Sequence, residues 1–111
     1  DTTMIFYHVT LKSNLDNILK NGLIPQIGAL SQAANETMNR IYLFPAIDDM
    51  NTALSSWLGE TINNIFGETT ECCSLRIDLP DNFPIVQKDV LYEAYSYVPI
   101  PPEYISYLRD E

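Results

Sequence analysis

One imidazole, two thiols and one carboxylate set among aromatic residues are the side chains here with the clearest capacity for chemistry. His8 is the single histidine of the chain and stands at the end of the apolar run "MIFYH", two residues before Thr10. Taken alone, such a ring can be a partly buried histidine whose nitrogens are satisfied by backbone groups. Tyr42, in "IYLF", is by itself an ordinary strand aromatic. Glu93 lies between Tyr92 and Ala94 inside "LYEAYSYV". A carboxylate in that setting either faces solvent or is held for a purpose. Cys72 and Cys73 are neighbours. Adjacent strand residues point to opposite faces and cannot readily pair. No second histidine is present to activate them, so they read as packed free thiols, which favours a reducing compartment. They lack partners at zinc-ligand spacing, and no structural metal is expected. Asp48 and Asp49 read as a helix start rather than a metal pair. Glu103, after two prolines, reads as structural or exposed.

The whole chain bounds what those groups can serve. Its 111 residues suit a single domain over 1–111 with one real core, and its mixture of apolar and charged residues reads as globular. Six Lys and Arg stand against fifteen Asp and Glu, a formal charge of −9. That balance repels phosphate backbones and argues against broad nucleic-acid binding. A small anion can still bind where backbone N–H groups and one local arginine outweigh the average field. No run reaches the roughly 18 apolar residues needed to cross a bilayer, so no membrane partner is expected. The opening "DTTMIFYHVT" has neither the basic start nor the long apolar segment of a signal peptide. Lacking an initiator Met, the chain is expected to be trimmed, processed or cut from a longer protein.

The elements that must position these groups follow from pattern. "MIFYHV" reads as a strand. "SNLDNILKNGL" reads as a helix with Ser13 as N-cap, Asp16 at the capping-box position, Leu11 as staple and Gly22 as the left-handed C-cap. Leu15, Ile18 and Leu19 supply its apolar face. Residues 26–40 have no lasting period and read as a long loop of the kind that often serves as a lid. "IYLF" is a short strand ended by Pro45. Asp48 or Asp49 then opens a second helix, with Met50, Ala53, Leu54, Trp57 and Leu58 as a core-facing stripe. It ends at Gly59 or runs on to Gly67. "CCSLRIDLP", "FPIVQ" and "LYEAYSYV" are strands, and Arg76 and Asp78 share a face as a surface pair. "PPEYISYL" closes the chain as a strand or short helix. The order implies an α+β domain, a mixed, mostly antiparallel sheet with flanking helices.

In order along the chain, "YHVT", the helix "SNLDNILKNGLIP", the strand "IYLF" and the ending "EAYSYVPIPPEYI" resemble the ADP-ribosyltransferase superfamily. The resemblance covers nearly the whole chain. It is nearest to the diphtheria-toxin-like His–Tyr–Glu branch and to the DNA-targeting ADP-ribosyltransferase toxins. It implies a small split-sheet fold, NAD as co-substrate and a toxin-like transferase acting in the cytoplasm, its own or that of a host cell into which it is delivered.

By that resemblance His8 bonds the adenosine ribose of NAD, and Thr10 supports it. The backbone of Val9 clamps the nicotinamide amide, and Tyr42 stacks on the nicotinamide ring. Glu93 accepts a bond from the 2′-hydroxyl of the other ribose and stabilises the oxocarbenium-like centre as nicotinamide leaves. His8, Tyr42 and Glu93 are thus the implied catalytic set. Residues 26–40 correspond to a donor loop, in which Gly28 permits close approach and Ser31 or Arg40 reaches the pyrophosphate. Arg40 has an equal alternative as a surface partner of Glu36. Leu91 stands two residues before Glu93, so the paired-glutamate signature linked with arginine modification is absent and the acceptor is not named. Arg40, Arg76 and Arg109 do not fall in the pattern of the RNA 2′-phosphotransferases, which share the general fold. The acceptor is a protein or nucleic acid, with protein favoured by the charge; transfer to water would make the chain an NAD glycohydrolase. Two rivals stay open: a nucleotide-binding module without turnover, and an acidic, tyrosine-rich protein-interaction domain.

Overall fold

A computed structural model of the chain describes residues 3–25, 39–87 and 94–111. The apolar opening run forms β1 (Thr3–Leu11), whose alternate residues supply two different faces. A 3-10 turn over Lys12–Asn14 leads into α1 (Leu15–Asn21). Ser13 therefore lies inside the turn and is not the N-cap; Asn14 holds that position without a side-chain cap bond. Gly22 ends the helix at φ +88°, and a Cβ there would collide with the Ile100 carbonyl oxygen. A glycine is required for both reasons. The close approach lets Leu23 and Ile100 exchange two backbone hydrogen bonds of 3.0 and 2.9 Å.

After β2 (Ile41–Leu43), two helices follow where the sequence suggests one: α2 (Ile47–Leu54) and α3 (Trp57–Phe66). Asp48 and Asp49 sit in the first turn of α2, the helix start expected of them. The interruption falls at Ser55 and Ser56, whose hydroxyls both donate to the Thr52 carbonyl, at 3.1 and 2.6 Å. Serine competes in this way with the helical ladder. The chain turns so tightly that a Cβ at Gly59 would strike the Leu54 carbonyl oxygen. Trp57 consequently starts a new helix and is 45% exposed, outside the apolar stripe expected of it.

The remaining strands are β3 (Cys72–Pro80), β4 (Val86–Gln87), β5 (Ala94–Ser96) and β6 (Ile105–Asp110), the last preceded by a 3-10 turn at Pro102–Tyr104. They form two sheets of three strands, β1-β3-β6 and β2-β5-β4. Among the described residues every strand pairing is antiparallel, not mixed. The domain is α+β.

Two apolar compartments flank β3. Phe6, Leu75, Ile77 and Leu79 pack toward Ile41, Leu43 and Ala94 of the second sheet, together with Ile18 of α1 and Ile100. On the opposite face Val9 and Cys72 pack with Met50, Ala53, Leu58 and Ile62 of the helix pair and with Phe44. Each such buried aliphatic side chain contributes about 1.5–3 kcal/mol. At the rim, Arg76 Nε donates to Asp78 at 2.9 Å, the surface pair expected from their spacing, and with both side chains near half exposed it stabilises little. No helix among the described residues is long and apolar enough to cross a membrane.

Candidate functional site

The two sheets meet along one seam, between β1 and β2. Tyr7 N–H donates to the Phe44 carbonyl at 2.9 Å, and Phe44 N–H donates to the Tyr7 carbonyl at 2.8 Å. Bonded pairs in an antiparallel ladder recur every second residue, so Val9 and Tyr42 would form the next. They do not: among the described residues the bridge between the two strands is confined to Tyr7 and Phe44. The Tyr42 carbonyl instead accepts a 2.7 Å hydrogen bond from Nδ1 of His8. Because the Tyr7 amide and carbonyl face β2, those of Val9, two residues on, turn to the same edge, while His8 is paired with Leu75 of β3. The seam thus opens at Val9, with one donor and one acceptor of its main chain along the edge and the His8 ring beside them.

The bond to Tyr42 also sets the chemistry of His8. A carbonyl only accepts, so Nδ1 carries the proton and Nε2 is left as an acceptor. Burial lowers the His8 pKa below its ordinary value; the Tyr42 carbonyl, which favours the protonated ring, offsets part of this. The ring is neutral at pH 7 and is suited to accepting a hydroxyl hydrogen. Thr10, buried, lies on the same face of β1 two residues on, opposite Cys73. The Val9 side chain points the other way, into the compartment under the helices. Only its backbone can serve a ligand at this edge.

Tyr42 sits opposite Tyr95 in the β2–β5 register. Their rings meet edge to face, with centroids 4.9 Å apart at 87°, and the hydroxyls are 3.4 Å apart. The Arg40 guanidinium carbon lies 3.8 Å from the Tyr95 ring centroid and 5.6 Å from that of Tyr42. Aromatic faces attract such cations, by about 2 kcal/mol where both are desolvated. Tyr95 is only 1% exposed. Arg40 is therefore applied to the tyrosine pair; its expected partner Glu36 lies outside the described residues.

Of the residues singled out from sequence, the structure links His8 to Tyr42 through the Tyr42 carbonyl and Arg40 to the Tyr42 ring, with Val9 and Thr10 following His8 along β1. Gly28, Ser31 and Glu93 lie outside the described residues. Cys72 and Cys73 are free and buried on opposite faces of β3. Burial pushes both thiols up, with smaller contributions from Glu111 at Cys72 and from Asp110 at Cys73, so both stay protonated. Tyr95 is the residue sequence reasoning missed. Its only local signal is its place in a tyrosine-rich strand, and its meeting with Tyr42 depends on a pairing 53 residues apart.

No protein-family model, no curated protein and no solved structure matches this chain.

Proposed function

We propose that this chain is an NAD-dependent mono-ADP-ribosyltransferase, cleaving the nicotinamide–ribose bond and passing ADP-ribose to a macromolecular acceptor. The observation that carries the reading is the diverted seam: His8 occupies the Tyr42 carbonyl, and the paired N–H and C=O of Val9 turn to the opening. A primary carboxamide, with one N–H donor and one C=O acceptor side by side, complements that edge. Nicotinamide carries such a group.

In this reading Val9 holds the nicotinamide amide, and Tyr42 supports its ring, an aromatic contact of about 1 kcal/mol beyond area burial. His8 Nε2 accepts from a hydroxyl of the adenosine ribose, and Thr10 supports that side of the site. Glu93 accepts from the 2′-hydroxyl of the nicotinamide ribose. As the glycosidic C–N bond breaks, its electron pair goes to the nicotinamide nitrogen and the positive charge to the ribose C1′. The Glu93 carboxylate stabilises that cation electrostatically. The acceptor's lone pair then forms the new bond at C1′ and its proton passes to Glu93 or to water. With a charge of −9 the chain suits a protein acceptor better than a nucleic acid.

The test is nicotinamide release from NAD by the wild type and by Glu93→Gln, with NAD binding followed in both. Release that collapses in the variant while binding persists supports the transferase. Binding without release in either protein points to a nucleotide-binding module, and the absence of binding overturns the NAD reading. Free ADP-ribose as the sole product would assign the acceptor role to water.

A further inference from the structure

We infer that Tyr95 is a positioning residue which, by holding Arg40 against its ring beside Tyr42, gives the site its preference for a 5′-phosphorylated donor. The inference rests on the NAD reading above and assigns a recognition task within it. Tyr95 is almost wholly buried, and its ring meets Tyr42 on one side and the Arg40 guanidinium on another. A ring so enclosed has little rotamer freedom, and a planar guanidinium stacked on it is preorganised rather than free to sweep through solvent. The guanidinium carbon stands 5.6 Å from the Tyr42 centroid. A cation so near the Tyr42 ring is within reach of the 5′-phosphate of a nucleotide whose base stacks on that ring. A pyridine ring placed on Tyr42 would therefore bring its phosphate to the cation, where a planar fork of N–H donors matches phosphate oxygens. In a chain with six Lys and Arg, a fixed cation beside an aromatic pair is distinctive.

Nicotinamide mononucleotide and nicotinamide riboside differ by that one phosphate, so the ratio of their affinities isolates the effect. Titration calorimetry with both, and with NAD, on the wild type, Tyr95→Phe, Tyr95→Leu and Arg40→Lys provides the test. The wild type should favour the mononucleotide by about tenfold or more. Tyr95→Phe keeps the ring and should keep the ratio. Tyr95→Leu should bring it down about tenfold while riboside binding changes little, an outcome that simple loss of structure would not give. Arg40→Lys retains the charge without the planar fork of donors and should lose much of the preference; it serves also if Tyr95→Leu does not fold. An unchanged ratio in Arg40→Lys or in folded Tyr95→Leu overturns the inference. NAD binding with no preference between the two smaller probes overturns it alone and leaves the NAD reading standing. A wild type that binds neither NAD nor the mononucleotide removes both.

Discussion

Two successive positions along the β1–β2 seam share a register and behave differently. At Tyr7 and Phe44 the strands are closed by two main-chain hydrogen bonds, and the Phe44 side chain is buried behind them among the helix residues. At Val9 and Tyr42 the same ladder is interrupted, because an imidazole has taken the carbonyl that a backbone amide would use. The closed step holds the two sheets together; the open step leaves out of the bridge polar main-chain groups that a sheet would otherwise consume. One side chain, His8, makes the difference, and it does so without leaving the Tyr42 carbonyl unsatisfied. The lesson is that a strand can be converted from scaffold to binding edge within two residues, provided a side chain substitutes for the lost partner.

The largest effect should come from damaging the closed step. Phe44→Ala removes a buried aromatic and is expected to cost about 3–5 kcal/mol, measured by urea denaturation. Next, amide hydrogen exchange sharpens the contrast directly. The Val9 amide should exchange about a hundredfold faster than those of Tyr7 and His8, since only the latter two lie in ladders. Equal protection at Val9 would mean that the seam is closed in solution. Third, His8→Ala should cost about 1–2 kcal/mol of stability through the unpaired Tyr42 carbonyl, and should weaken NAD binding by tenfold or more. The smallest effect concerns pH. Folding depresses the His8 pKa, so below pH 6.5 the unfolded chain takes up a proton that the folded chain refuses. Stability contributed by His8 is complete above 6.5 and is lost as pH falls toward the lower folded value, by at most about 1.4 kcal/mol per pH unit. His8→Gln should flatten that part of the profile.

The parts of this contrast legible in sequence were those written in local pattern. β3 runs over the residues its apolar and β-branched content indicates, and Gly22 ends α1 because no other residue meets both its φ and its contact with Ile100. The apolar period of residues 50–58 was misleading for a physical reason. Periodicity reports which residues tend to be buried, but not that two serine hydroxyls at Ser55 and Ser56 will bond to one carbonyl and turn the chain. The site was legible only as separate pieces. His8 and Tyr42 were each visible as candidates, yet their link is from a ring to a main-chain carbonyl, which leaves no mark on the identity of residue 42. Tyr95 was invisible because its importance arises from register across the second sheet.

The adjacent cysteines acquire a use from their position in the middle strand. Cys72 belongs to the compartment covered by the helices, whereas Cys73 is wholly enclosed on the face shared with His8 and Thr10. Each thiol must wait for its own compartment to open before an alkylating reagent can reach it, and the two sit on consecutive residues of the main chain. Their relative labelling rates therefore form a two-channel clock, timing the loosening of the helix side against that of the opposite face in a chain that needs no engineered cysteine.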